Sequence, residues 1–234
     1  MKKLIAVTLI LVLCCLCIPT AFADGKTITN VNEAYALVRD TKLIAIYEAT
    51  LHENGKDDRD VYYVVCKGLD FTEFDPDQPR SYANAIRIGL SDENNTYVKA
   101  VVNAVENSVK PGSDLVFVGH SLGGMVIEQV IANRTIKSRY NVLYSMAIGS
   151  PYILTSGIKE GKLIRIVDKL DPVPFLSIPL LANPLLGNVA TESSYLCPLI
   201  HFRSYESGSC WKKYDALGNK YGKATITLNE LIYK

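Results

Sequence analysis

Asp114-Leu115-Val116-Phe117-Val118-Gly119-His120-Ser121-Leu122-Gly123-Gly124 is the stretch on which the fold turns. Its first five residues make a short apolar run of strand length, and Met125 to Asn133 beyond it reads as a helix. Between them Gly119-His120-Ser121-Leu122-Gly123 is a G-x-S-x-G pentapeptide, extended by Gly124. A strand that runs into a helix through that pentapeptide is a nucleophile elbow, a sharp turn that presents a serine hydroxyl above the sheet. Small residues flank the serine because so tight a turn leaves little room for side chains. The competing reading is a glycine-rich turn whose serine only caps the helix.

Working outward, residues 31–39 carry the pattern of an amphipathic helix, with Asn30 available as its cap. Leu43 to Leu51 and Asp60 to Cys66 read as strands, and the Asn54-Gly55 turn between them predicts an antiparallel pair. Residues 68–91 contain Pro76, Pro79 and two glycines and read mostly as loop. Val98, Val101, Val102, Val105 and Val109 recur at helical spacing, with Asp92 as a possible cap and Pro111-Gly112 as the stop. After the elbow come apolar strands at Val142–Ile148 and Leu163–Val167. The alternation of strands and helices predicts an α/β fold with a mostly parallel central sheet and helices on both faces. Active residues then belong at the carboxyl ends of the strands.

Met1-Lys2-Lys3, the apolar run Leu4 to Ile18 and the segment ending at Ala23 have the layout of a signal peptide over residues 1–23. The run is short for a membrane span, and Leu13 stands before Cys14 where lipidation would want a small residue. A single domain over residues 24–234, secreted or extracytoplasmic, is the expectation. Loss of Lys2 and Lys3 takes the formal charge from +1 to −1 and leaves no basic cluster, which argues against nucleic acid as a partner. Export permits disulfides. A bridge between Cys197 and Cys210 would hold the loop around His201, the alternative being reduced thiols throughout, and Cys66 reads as a buried thiol in a strand.

A serine hydroxyl is a poor nucleophile until a base takes its proton, and an imidazole oriented by a carboxylate suits that task. The chain has three histidines. His52 sits at a polar turn before the elbow, and His120 adjoins Ser121 with its side chain expected to point away. His201 lies downstream, where the order Ser…Asp…His puts the base. The acid should follow a late strand, and both Asp168 and Asp171 follow Leu163–Val167. Asp171 is favoured because it opens Asp171-Pro172-Val173-Pro174, whose prolines stiffen the backbone; Asp168 would cap or salt-link the turn. The oxyanion hole is expected from the backbone N–H groups of Leu122, next to the nucleophile, and of Leu69, after the strand ending at Cys66.

These segments together resemble the class 3, fungal-type lipases of the α/β-hydrolase superfamily. Val64 to Leu69 is similar to the strand and oxyanion segment of that family, Gly119 to Gly124 to its elbow, and Ala147 to Pro151 to its next strand and turn. Ile166 to Pro174 resembles its acid-bearing segment, which implies Asp171 as the acid, and Ile200-His201-Phe202 falls where the family places its histidine. Leu69 replaces a hydroxyl residue and Lys67 an arginine of the family pattern.

The resemblance implies hydrolysis of acyl esters or lipids through an acyl-enzyme, with no metal or organic cofactor and with transient contact to a lipid interface. Phospholipase, deacetylase and thioesterase activities on the same fold are the alternatives, and a non-catalytic surface-binding module is a further one. The apolar segment Val173 to Leu199, with Phe175, Leu176, Ile178, Leu180, Leu181, Leu185 and Leu186, reads either as an acyl-binding rim or as a loop folded onto the core. Tyr82, Tyr152 and Tyr195 are further candidates for the rim.

Overall fold

The central strands are apolar on both sides because both faces of the sheet are covered. In β3 (Arg59–Cys66) Tyr63 and Val65 face one core while Val64 and Cys66 face the other. In β4 (Asp114–His120) Val116 and Val118 alternate with Leu115 and Phe117 in the same way. The computed structural model describes residues 25–69, 78–89, 94–176, 188–194 and 200–234. The expected signal peptide lies outside them.

The remaining strands are β1 (Thr27–Ile28), β2 (Ile44–His52), β5 (Asn141–Ile148), β6 (Lys162–Asp168), β7 (Val189–Glu192) and β8 (Thr225–Tyr233). Among the described residues they form one sheet in the order β1-β8-β2-β3-β4-β5-β6-β7. Pairing is antiparallel from β1 through β3 and parallel from β3 through β7. The result is a mixed, largely parallel sheet flanked by helices on both faces, the α/β class expected.

On one face lies α1 (Val31–Asp40), which buries Val31, Tyr35 and Val38 against the sheet. Its N-terminus is closed reciprocally: the Asn30 side chain accepts from the Glu33 N–H, and Glu33 reaches back to the Thr29 N–H. Tyr205 of α6 (Ile200–Ser207) and Trp211 of the 3-10 turn after it (Ser209–Lys213) pack into the same core. The opposite face is covered by α3 (Thr96–Ser108) and α4 (Leu122–Val130).

Several boundaries differ from those read in the sequence. Within the stretch taken as loop, α2 (Tyr82–Gly89) is helical, and the Gln129 side chain ties it to α4 through the Ile88 carbonyl. The cap of α3 is Asn95, whose side chain accepts from the Tyr97 N–H; Asp92 lies outside the described residues. The helix expected over Met125–Asn133 ends at Val130, and Asn133 caps a separate helix, α5 (Arg134–Arg139), by accepting from the Thr135 N–H. A cap residue with extended backbone ends one helix and starts the next, which periodicity alone does not reveal. Strands β1, β7 and β8 lie where the sequence reading places no strand, and β8 inserts between β1 and β2. Cys66 and Cys210 are free thiols, while Cys197 lies outside the described residues.

Candidate active site

Ser121 joins β4 to α4 with φ 54° and ψ −123°, a backbone conformation that is costly for any residue with a Cβ. Close packing around it keeps the turn in place. A Cβ on Gly119 would lie 2.5 Å from the Gly123 carbonyl, one on Gly123 would lie 2.2 Å from the Cys66 oxygen, and one on Gly124 would lie 2.5 Å from Ser150 Cβ. The three glycines therefore let the start of α4 press against the ends of β3 and β4. The Ser121 N–H donates to the Ile148 carbonyl at 2.9 Å. Its side chain makes no capping hydrogen bond, so the reading of Ser121 as only a helix cap fails on geometry. The residue is 8% exposed.

His201 stands in the first turn of α6 rather than in a loop, and its Nδ1 meets Asp171 Oδ2 at 2.9 Å. Its Nε2 is buried and has no hydrogen-bond partner among the described residues, Ser121 Oγ included. In unliganded sites such bonds are often long and tighten only when substrate binds. Asp171 is fully buried and also accepts from the Tyr205 hydroxyl at 2.8 Å and from the Val173 N–H at 3.0 Å. The Val173 contact is local to the Asp-Pro-Val-Pro turn.

Asp168 occupies a separate position. It accepts from the Leu170 and Ser194 N–H groups and from the hydroxyls of Ser194 and Ser204, so it ties β6, the residues after β7 and α6 together. Tyr205 links the two acids, since its oxygen also accepts the Asp168 N–H at 3.0 Å. Burial, and then the charge of Asp171, hold the Tyr205 phenol well above its usual range, so it stays a donor.

His120 does not simply point away. Its ring lies 4.5 Å from that of His201, and its Nε2–H donates to the His201 carbonyl at 3.0 Å. Tyr35 meets the other side of the ring edge-on at 5.0 Å. Burial, and then the neighbouring His201, push the His120 imidazole well below its usual range, which keeps it neutral. The sequence reading assigns neither His120 nor Tyr205 to the site. Tyr205 left a signal, because it lies four residues after His201 and so on the same helix face.

Leu122 is the first residue of α4, and N–H groups of a first helical turn lack intrahelical acceptors. Gly68 packs against the nucleophile: a Cβ there would lie 3.3 Å from Ser121 Cβ and 3.1 Å from the His120 oxygen. Gly68, Leu69, Tyr35, Ser121 and Phe202 line a small pocket of about 70 Å³. Wider clefts of about 650 and 530 Å³ open at the opposite end of the sheet, at Asp114 and Asn141 and at Arg59 and Val142, remote from Ser121.

Of the apolar segment after Asp171, Phe175 and Leu176 are 45% and 64% exposed, so these two are not folded onto the core. Residues 177–187 and 195–199, with Ile178, Leu180, Leu181, Leu185, Leu186 and Tyr195, lie outside the described residues. The Tyr152 ring packs against two cations, with Lys159 Nζ 3.9 Å from its centre and Arg165 5.4 Å away. His52 is bound to Asp58 and Thr227 at its own end of the sheet.

No curated protein matches the chain. A solved structure described as "A model for interfacial activation in lipases from the structure of a fungal lipase-inhibitor complex" is similar at 13% identity over 87% of this chain and 82% of that one, with a TM-score of 0.33. A likeness that weak supports no assignment. A family model is more informative: "Putative serine esterase (DUF676)" matches residues 90–206, half of the chain, and that span contains the elbow, Asp171 and His201. The protein therefore belongs to this serine-esterase family and is an esterase/lipase-type α/β-hydrolase.

Proposed function

We propose that the protein is a secreted serine carboxylic-ester hydrolase, akin to class 3 lipases, in which residues 24–234 form one catalytic domain behind a signal peptide. The observation that carries this reading is the 2.9 Å bond from His201 Nδ1 to the buried Asp171 carboxylate, made by a histidine whose Nε2 has no partner among the described residues. Export rests on the basic, apolar and small-residue layout of residues 1–23. Substrate class rests on the exposed Phe175 and Leu176 next to the acid, apolar surface suited to an acyl chain or a lipid interface.

In this mechanism His201 Nε2 takes the Ser121 proton as Oγ attacks the ester carbonyl. The N–H groups of Leu122 and Leu69 receive the negative charge on the carbonyl oxygen, and Asp171 stabilises the imidazolium through Nδ1–H. His201 then gives its proton to the departing alkoxide, leaving an acyl-Ser121 ester. Water, deprotonated by His201, attacks that ester; collapse returns the proton to Ser121 Oγ and frees the carboxylic acid. Every group needed is a side chain or backbone amide of the chain, so the chemistry requires no cofactor.

Hydrolysis of 4-nitrophenyl esters from acetyl to palmitoyl, compared between the wild type and Ser121→Ala, tests the reading. A rate that depends on Ser121 supports it, and an optimum at long chains selects lipase over esterase. Equal rates for the two folded proteins would sink it.

A further inference from the structure

Among the described residues the strand pairing of β3 ends at Cys66, yet each carbonyl of Lys67-Gly68-Leu69 is held by a side chain from elsewhere. The Tyr97 hydroxyl lies 2.8 Å from the Lys67 carbonyl and 3.0 Å from that of Leu43. Arg80 Nε donates to the Gly68 carbonyl at 2.6 Å, and its Nη2 reaches the Leu69 carbonyl at 3.4 Å. Nη1 of the same guanidinium donates to the Lys42 carbonyl at 3.1 Å, which anchors the clamp to the residues before β2.

A trans peptide is planar, and its C=O and N–H point to opposite edges of the plane. Holding the Gly68 carbonyl therefore fixes the direction of the Leu69 N–H, the other polar group of that peptide. Gly68 also packs closely beside the nucleophile, since a Cβ there would lie 3.3 Å from Ser121 Cβ. Leu69 has no side-chain hydroxyl, so its contribution to an oxyanion is its backbone N–H alone. A guanidinium, with several donors in a rigid fork, suits such a task better than the single point of an ammonium.

We infer that Arg80, with Tyr97 holding the preceding Lys67 carbonyl, is a positioning residue that orients the Leu69 N–H toward the developing oxyanion. The inference rests on the ester-hydrolase reading above. A plain tether would matter for stability alone, whereas an orienting clamp acts on the transition state and leaves ground-state binding untouched.

The test uses Arg80→Met, which keeps the apolar stem, Arg80→Lys, and Ser121→Ala as control, all checked for folding. Removing one oxyanion donor outright typically costs about 10²–10³ in kcat. Misdirecting one should lower kcat of Arg80→Met about 10- to 100-fold, with KM within about twofold of wild type. Affinity for a trifluoromethyl ketone analogue should fall by the same factor, the acidic limb of the pH–rate profile should stay in place, and Arg80→Lys should be intermediate. Wild-type kcat in Arg80→Met overturns the inference, as does a loss carried by KM or a shifted acidic limb. Should Arg80→Met fail to fold, wild-type kcat in Arg80→Lys overturns it, because an ammonium cannot reproduce the fork. A wild type no faster than Ser121→Ala would instead refute the underlying hydrolase reading.

Discussion

The Tyr205 hydroxyl donates to Asp171 Oδ2 at 2.8 Å, the same oxygen that receives His201 Nδ1. One carboxylate oxygen thus serves both the histidine and a buried phenol. Tyr205→Phe removes a donor from Asp171, so the carboxylate that orients His201 is held less firmly. The value of kcat should fall, with KM little changed. The Asp168 N–H also loses its acceptor, so stability should fall by about 1–3 kcal/mol. Steady-state kinetics and urea unfolding of the same variant measure the two effects; an unchanged kcat would count against the Tyr205–Asp171 link.

His120 predicts a pH dependence of stability. Its folded pKa is depressed below the ordinary value of 6.5, so in acid the unfolded chain binds a proton that the folded protein does not. Its contribution is fully present above about pH 6.5 and is lost as pH falls toward the depressed folded value. In His120→Gln that component is absent, so its melting temperature should decline less steeply than that of the wild type between about pH 6.5 and 5. Parallel declines would show that His120 is not buried neutral.

Two glycines at the elbow should respond differently to alanine. Gly123→Ala puts a methyl 2.2 Å from the Cys66 carbonyl oxygen and 2.6 Å from that of Lys67, both backbone atoms that cannot turn aside. A loss of about 3 kcal/mol or failure to fold is expected. Gly68→Ala meets its nearest neighbours only at 3.1–3.3 Å, so it should fold with a loss of about 1 kcal/mol or less and express its effect in kcat. Denaturation midpoints of the two variants, measured together, check the contrast.

Behind the elbow, Glu128 of α4 is fully buried and bonded to Lys159 and to the Ile153 N–H, with Arg165 Nε 4.0 Å away. Burial pushes the Glu128 carboxyl up, and Lys159 acts against that rise. Glu128→Ala removes the carboxylate beside the buried Arg165 and Lys159, leaving Arg165 its bond to the Ser150 carbonyl, and should cost about 3–5 kcal/mol. Urea unfolding that shows a loss below about 1 kcal/mol would mean the cluster is far better solvated than its burial implies.

The parts legible in the sequence were those whose physics is local. The elbow is written in three glycines that each avoid a backbone or side-chain clash, and the strand-helix alternation around it follows from apolar runs with two buried faces. The contact of His201 with Asp171 rather than Asp168 was readable from two prolines that set the Asp171 turn and from having few histidines to choose among. What escaped depends on partners distant in the chain. β8 pairs with β2 across most of the sequence, and nothing in its own residues announces that neighbour. Asn95 and Asn133 cap helices at places where the valine spacing and apolar run alone suggested other boundaries. His120 and Tyr205 meet His201 and Asp171 only once α6 has docked against α1 and the sheet.

The most direct measurement is the site and rate of covalent labelling by a fluorophosphonate, read by peptide mass spectrometry on the folded wild type, His201→Gln and Asp171→Asn. The account predicts one adduct, on Ser121, formed at least about 100-fold more slowly in both variants. An adduct on another residue, or none on protein shown to be folded, would contradict it.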